Sequence, residues 1–147
     1  MHIAPLGISD RADWERLARG YKHFYGTVTT DAELELAWRR LLGQDGVVGL
    51  GARIDGELVG IAHYLFHTGV WTPSICYLQD LFTAPAARGK GVARALIDAV
   101  ALAARQGGAS RFYWLTQEQN ALARILYDKI AHNRGFVRYD YPLSPAG

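Results

Sequence analysis

The sequence has a single cysteine among its 147 residues. No disulfide can therefore form within the chain, and an oxidising compartment is not implied. That residue, Cys76, lies in an apolar run, where we expect a buried and unreactive thiol. No apolar run approaches the roughly 18 residues that a membrane-spanning helix needs. The first residues carry no basic segment followed by an apolar stretch, so we expect no signal peptide. Together these absences predict a cytoplasmic protein with no membrane partner.

An excess of charge of one sign is also lacking. The 16 basic and 14 acidic residues leave a net charge of +2, and no long basic run is present. We therefore expect no nucleic-acid partner. Half of the residues are apolar and a fifth are charged, which is typical of a globular protein. The length suits one domain that covers residues 1–147.

Hydrophobic periodicity predicts both helices and strands. A capping box at Thr30–Glu33 indicates the start of a helix, and Asp55-Gly56 is typical of the turn of a tight hairpin. The predicted helices span residues 10–25, 31–42, 92–106 and 120–131. The predicted strands span residues 2–6, 47–54, 57–68, 74–83, 111–116 and 135–141. This order predicts an α+β fold with a central mixed sheet and helices on both of its faces.

The most informative stretch is the glycine-rich entrance to the third helix, Arg88-Gly89-Lys90-Gly91-Val92-Ala93. The first turn of a helix has N–H groups without internal partners, and glycines let the backbone approach a ligand closely. Two basic side chains add positive charge, so a phosphate or pyrophosphate is the natural ligand. The alternative is an ordinary turn with solvated side chains. The stretch is neither a P-loop nor a dinucleotide-binding fingerprint, because it lacks the residues that either motif needs.

At this point the sequence resembles the GNAT superfamily of N-acetyltransferases. The acetyl-CoA signature of that family, Arg/Gln-x-x-Gly-x-Gly/Ala, is matched by Arg88, Gly91 and Ala93, and it follows a strand, residues 78–83, that resembles the bulged fourth strand of the family. A second block matches the family helix Asn-x-x-Ala-x-x-x-Tyr, through Asn120, Ala123, Leu126 and Tyr127, and Gly135-Phe136 follows. The long connection over residues 128–134 is similar to the branch that includes histone and polyamine acetyltransferases.

The resemblance implies a mostly antiparallel sheet and acetyl-CoA as cosubstrate. It implies that the pyrophosphate binds the backbone N–H groups of Arg88, Gly89, Lys90, Gly91, Val92 and Ala93. The pantetheine arm is expected to pair with the backbone of Leu81, Phe82 and Thr83, and a backbone N–H near Leu81 to polarise the thioester carbonyl. Asn120 is expected to contribute to the same site or to cap its helix.

Acetyl transfer to an amine also needs an acid and a base. The resemblance makes Tyr127 the general acid, because a phenol of ordinary pKa about 10 is protonated at neutral pH and can donate to a departing thiolate. The alternative for Tyr127 is a core tyrosine. Asp80, beside the expected bulge, is the preferred general base. The other candidates are Glu118, His63 and His67.

The acceptor is predicted to be a primary amine, either a small molecule or a lysine side chain. Tyr25, Trp38 and Trp71 are candidates for its pocket, with the hydrophobic core as their alternative place. Two other functions compete with catalysis: a non-catalytic acyl-CoA sensor on the same fold, and an unrelated phosphate-binding domain. A homodimer is left open as the assembly, and no metal is expected.

Overall fold

The computed structural model of the chain describes residues 1–145. Its strands are β1 (His2–Pro5), β2 (Val47–Ile54), β3 (Glu57–His67), β4 (Ile75–Thr83) and β5 (Phe112–Tyr113). Its helices are α1 (Arg11–Phe24), α2 (Asp31–Leu42), α3 (Val92–Gln106) and α4 (Ala121–Ile130), and short 3-10 turns lie at Ile8–Asp10 and Pro85–Ala87. The chain divides into two compact units, Met1–Leu115 and Thr116–Gly147.

The five strands form one sheet in the order β1-β2-β3-β4-β5. Neighbouring strands are antiparallel except β4 and β5, which are parallel. This confirms the mixed, mostly antiparallel sheet. The predicted hairpin joins β2 to β3, and its turn residues Asp55 and Gly56 both have positive φ, 51° and 83°, as the tight turn between twisted strands requires.

The strand β3 has helices on both of its faces. Consecutive residues of a strand point to opposite faces. A Cβ placed on Gly60 would lie 2.5 Å from Val92 Cγ1 in α3, whereas the side chain of Ile61 is buried with Trp14 and Leu17 of α1. The prediction of helices on both faces of the sheet is therefore confirmed, and glycine at position 60 lets α3 approach the sheet closely.

Two predicted strands differ from the structure. The strand predicted over residues 111–116 is reduced to the two residues of β5. The strand predicted over residues 135–141 is wrong, since these residues form no regular secondary structure. Phe136 and Tyr139 are each 90% exposed. A sequence suited to β-structure stays irregular where no neighbouring strand pairs with it, because its stability comes from cross-strand contacts.

Of the two side-chain caps predicted at helix starts, the one at α2 is formed and the one at α4 is not. The capping box at α2 is formed, since Thr30 Oγ1 accepts from Glu33 N at 3.2 Å and Glu33 Oε2 accepts from Thr30 N at 2.8 Å. Asn120 holds the N-cap position of α4, but its side chain makes no capping bond. Its Nδ2 instead donates to Thr116 Oγ1 at 3.0 Å. Among residues 1–145, no helix has the length and apolar character needed to cross a membrane.

Candidate active site

The entrance to α3 has the backbone geometry of an anion-binding loop. Gly89 and Gly91 have φ values of +78° and +79°, a left-handed conformation that favours glycine. A Cβ built on either residue would meet no protein atom within 4 Å. The space beside both glycines is therefore open to a ligand, and a side chain at either position would project into it.

Electrostatics at this entrance favour a negative ligand. The first hydrogen bond into α3 runs from Ala95 N to Gly91 O. The N–H groups of the preceding first-turn residues have no acceptor within the helix, and the helix dipole adds partial positive charge to them. The Arg88 guanidinium lies over the Phe82 ring, 5.9 Å from its centroid, which ties the loop to the end of β4. The loop thus fits a phosphate or pyrophosphate group.

A β-bulge in β4 sets the position of Asp80. Along the β3–β4 ladder, Asp80 pairs with His63 while Leu78 pairs with Tyr64, so Gln79 is the extra residue of β4. The bulge predicted for this strand is therefore present. Directly opposed residues of an antiparallel pair point to the same face. Asp80 and His63 consequently share the face that α1 covers.

A chain of four polar groups crosses this face, and we call it the polar chain: Trp14, His63, Asp80 and Tyr21. Trp14 Nε1 donates to His63 Nε2 at 3.0 Å, and His63 Nδ1 lies 2.8 Å from Asp80 Oδ2. The Tyr21 hydroxyl also hydrogen-bonds the Asp80 carboxylate. Trp14 and Tyr21 are seven residues apart on α1, so two helical turns bring them to the same side.

The polar chain keeps Asp80 ionised. Burial alone would raise the pKa of the Asp80 carboxyl, but the hydrogen bonds of His63 and Tyr21 and the charge of Lys22 hold that pKa below its ordinary value. Burial and the nearby Asp80 charge raise the pKa of Tyr21, and also that of Tyr25. Tyr21 is therefore a neutral donor to a carboxylate.

Aromatic rings surround this carboxylate. The Tyr21 and Tyr25 rings meet edge to face at 5.0 Å, and the Tyr21 and Phe82 ring centroids are 6.4 Å apart. Of the predicted pocket aromatics, Tyr25 thus lies near Asp80. Trp38 belongs to the core, since it is 6% exposed and its ring lies tilted against that of Trp14. Trp71 is 96% exposed in the loop between β3 and β4.

The remaining nucleophile and base candidates of the first unit lie in other surroundings. Cys76 is fully buried, and burial raises the pKa of its thiol to about 11, which suits the expected inert cysteine. His67 Nε2 lies 3.2 Å from the Tyr113 hydroxyl, and the two rings meet edge to face. His67 is thus part of a contact between β3 and β5.

The second unit contains Tyr127 and Glu118. Tyr127 lies on α4, which Asn120 precedes, at the spacing that the sequence predicted. The backbone carbonyl of Glu118 accepts from Arg124 Nη1 at 2.8 Å, so this residue helps to anchor the start of α4. In residues 1–145, no group of three or more His, Cys, Asp or Glu side chains is arranged to hold a metal ion.

Comparisons with known proteins agree with this geometry. The sequence model of the acetyltransferase (GNAT) family matches residues 13–132. The chain belongs to this family.

The relatives of this GNAT acetyltransferase are N-acetyltransferases. It is 32% identical over 143 residues to the D-amino-acid N-acetyltransferase HPA3 of Saccharomyces cerevisiae, covering 93% of this chain and 88% of the relative. It is 34% identical over 120 residues to the thialysine N-epsilon-acetyltransferase of Sus scrofa, covering 82% and 71%. The crystal structure of a probable acetyltransferase shares its fold, with a TM-score of 0.86 at 23% identity over 98% and 99% of the two chains.

The GNAT acetyltransferase is therefore an enzyme that transfers an acetyl group from acetyl-CoA to an amine. This confirms the family and activity that the resemblance implied. Asp80 and the glycine entrance were named from the sequence as candidates, whereas Trp14 and Tyr21 lie in a predicted helix and were not among the candidate site residues. Their seven-residue spacing on α1 was a visible signal, whereas the donors and acceptors that they meet depend on the β4 bulge.

Proposed function

We propose that acetyl-CoA binds the glycine entrance through its pyrophosphate, on the backbone N–H groups of residues 88–93. The observation that supports this most is the pair of left-handed glycines, Gly89 and Gly91, beside open space. Leu81, Phe82 and Thr83 lie at the end of β4, where β5 pairs only with Cys76 and Tyr77. Their backbone therefore has no β5 partner, which supports them as the residues that pair with the pantetheine arm.

The chemistry that we propose is direct attack of a neutral amine on the thioester carbon. The new C–N bond forms as the C–S bond breaks, and the Tyr127 hydroxyl gives a proton to the departing sulfur. The proton that the nitrogen loses on becoming an amide restores the hydroxyl. Asn120 precedes the same helix and assists binding. An amine of pKa about 10.4 needs about 4.6 kcal/mol to lose its proton at pH 7. Asp80 receives the acceptor as an ammonium ion and takes its proton through water, as the general base.

The acceptor that we propose is a free amino acid or a similar small amine. The two named relatives act on a D-amino acid and on thialysine, which supports a small molecule over a protein substrate. Asp80 offers a carboxylate to the ammonium group, and the positive charge of Lys22 is felt at the same place. A small molecule that carries both an ammonium group and a carboxylate is complementary in charge to Asp80 and Lys22.

A panel of amines tests this proposal through release of the CoA thiol. It contains D- and L-amino acids, thialysine, polyamines, aminoglycosides and lysine peptides, together with the decarboxylated partner of each amino acid. We expect amino acids to give the highest kcat/KM. Lys22→Met should lower kcat/KM for an amino acid and leave its decarboxylated partner unaffected. Equal turnover of both amines by the unaltered enzyme would contradict the amino-acid assignment.

We also propose one catalytic domain that forms a homodimer. The family match spans residues of both units, which supports a single domain. In the C-terminal segment, residues 132–145, large apolar side chains alternate with charged ones over residues 137–141. Five large apolar side chains of the segment are more than 70% exposed: Phe136, Val137, Tyr139, Tyr141 and Leu143. If two segments pair antiparallel about Tyr139, Arg138 of each copy faces Asp140 of the other, as a twofold interface requires.

Charge reversal tests this assembly by the mass of the particle in solution. In Arg138→Asp, positions 138 and 140 are acidic in both copies, and in Asp140→Arg they are basic in both. The facing side chains therefore repel each other in either variant. We expect each variant to be monomeric and a mixture of the two to form a dimer. Dimers of either variant alone would contradict this pairing.

The cytoplasmic location stays a prediction, which cell fractionation tests.

A further inference from the structure

The protonation of His63 follows from its two neighbours. The indole of Trp14 is a donor only, and it points at Nε2 of His63 at 3.0 Å. Nε2 must therefore be an acceptor. In a neutral imidazole the other nitrogen then carries the proton, so Nδ1 donates to Asp80 Oδ2 across 2.8 Å. This assignment rests on donor and acceptor chemistry, and it defines one tautomer.

The same contact opposes a positive charge on His63. An imidazolium needs a proton on Nε2, where the Trp14 N–H already lies, and two donors would then face each other. Trp14 is 1% exposed and its ring lies tilted against that of Trp38, at a centroid distance of 5.0 Å. The indole is thus held in place by the core. His63 and Asp80 together carry one negative charge rather than forming a neutral ion pair.

That negative charge is accessible on one side. The Asp80 side chain is 23% exposed. The groups that act on Asp80 are Tyr21 and Lys22 from α1 and His63 from β3. The Asp80 charge also raises the pKa of Tyr25, which directly follows α1. The carboxylate therefore lies among aromatic rings with part of its surface open. A carboxylate attracts an ammonium group by charge, and nearby aromatic rings can add a cation–π contribution.

We infer that Trp14 and His63 are positioning residues that keep Asp80 a hydrogen-bonded monoanion, ready to receive the ammonium group of the acceptor. This inference rests on the proposed function, because it assigns the acceptor to Asp80. Trp14 supplies no atom to the reaction in this scheme. It prevents His63 from neutralising the charge that attracts the substrate.

The experiment measures KM and kcat for a cationic amine between pH 6 and 8.5. An amine of pKa about 10.4 stays an ammonium ion throughout this range, so the unaltered enzyme should show a KM that hardly changes. In Trp14→Phe, Nε2 is released and His63 gains a proton at the acidic end. We expect KM at pH 6 to be about tenfold above its value at pH 8.5, as loss of an attractive charge predicts, with a smaller change in kcat.

Two further variants separate this effect from a loss of packing. His63→Asn keeps a donor for Asp80 and cannot titrate, so Trp14→Phe combined with His63→Asn should again show a flat KM. His67→Asn, a change to the other histidine of β3, should leave the pH dependence of KM unaltered. A KM of Trp14→Phe that is as flat as that of the unaltered enzyme would overturn the inference, and so would a pH-dependent KM in the double variant.

A nitrogen-15 NMR spectrum of the imidazole provides a readout that does not need turnover. We expect His63 of the unaltered enzyme to carry its proton on Nδ1. A proton on Nε2 would overturn the inference even if the enzyme acetylates amines. If the expected tautomer is found but no amine is turned over, the proposed function fails while the role of Trp14 stands. Spectra of the folded variants show whether each substitution preserves the structure.

Discussion

At the entrance to α3 the groups that we assign to the ligand are backbone N–H groups, whereas between α1 and β4 they are side chains. The first region depends on the left-handed conformation of Gly89 and Gly91, and it attracts negative charge. The polar chain depends on donors and acceptors that match at 2.8 and 3.0 Å, and it holds one negative charge. The comparison teaches that substitutions should act differently in the two regions. Adding a side chain damages the first, while deleting a single polar atom damages the second.

The largest expected effect is that of Gly91→Val on acetyl-CoA binding. The new side chain would occupy the open space beside the loop and would also strain a residue of positive φ, at roughly 1–3 kcal/mol. We expect the CoA dissociation constant, measured by calorimetry, to rise at least about 100-fold, as loss of a major anchor of about 2.7 kcal/mol predicts.

Gly108→Val is the matched control for this variant. Gly108 follows the other end of α3, has a φ of +71° and also has open space at its Cβ position. Thermal unfolding should show a similar loss of stability in both variants, with CoA binding lost only in Gly91→Val. Equal CoA binding by the two variants would remove the distinction between an anion-binding loop and an ordinary turn.

Tyr127→Phe should produce the next largest effect, and it sharpens the comparison by changing neither binding region. The variant keeps the ring and removes the hydroxyl. General acid catalysis contributes about 10²–10⁴-fold, and we expect kcat to fall by about 10²-fold because water partly replaces the hydroxyl. The CoA dissociation constant should stay unaltered. A kcat equal to that of the unaltered enzyme would leave Tyr127 without a chemical role.

A smaller effect is expected of Asp80→Asn, which tests whether the two regions serve different substrates. The amide keeps the size of the side chain and loses its charge. We expect the KM for the amine to rise by about tenfold or more, with a lower kcat and the same affinity for acetyl-CoA. In the same steady-state assays, Arg88→Gln should weaken the affinity for acetyl-CoA and leave the KM for the amine unaltered. If each variant raised both the KM for the amine and the KM for acetyl-CoA, the two regions would not be separable.

The smallest effect concerns stability in acid. Because the folded-state pKa of Asp80 is lowered, its contribution to stability is present above the ordinary carboxyl pKa of about 3.9 and is lost as the pH falls below it. We expect the melting temperature of Asp80→Asn to fall less than that of the unaltered protein between pH 6 and pH 3. An identical fall would show that the carboxylate of the polar chain does not stabilise the fold.

Local patterns in the sequence predicted those features whose causes are local. The Asp55-Gly56 turn, the Thr30–Glu33 capping box and the left-handed glycines each depend on a few adjacent residues, and the structure contains all of them. The prediction of a last strand over residues 135–141 was wrong because it, too, relied on a local pattern. Its alternation is a local property, whereas strand pairing needs an edge elsewhere.

The polar chain was less predictable because it joins residues distant in sequence. His63 and Asp80 were each named as candidate bases, but nothing in their spacing shows that they are cross-strand partners. One extra residue in a strand reverses which side chains face a given helix. The bulge at Gln79 therefore decides whether Asp80 faces Trp14 and Tyr21. Its presence was expected from the resemblance, but the pairing that results from it was not.

Gly60 has a consequence for how this enzyme tolerates mutation. Its missing Cβ, which would lie 2.5 Å from Val92 and 3.1 Å from Leu96, lets the first turn of α3 rest directly on β3. The height of the anion-binding loop above the sheet is thus set by a residue that is remote from it in the sequence. A single methyl group at position 60 would lift the start of the helix, and with it the N–H groups that we assign to the pyrophosphate. Because it has no side chain, Gly60 sets the distance between α3 and β3, and a search restricted to residues that contact the ligand would overlook it.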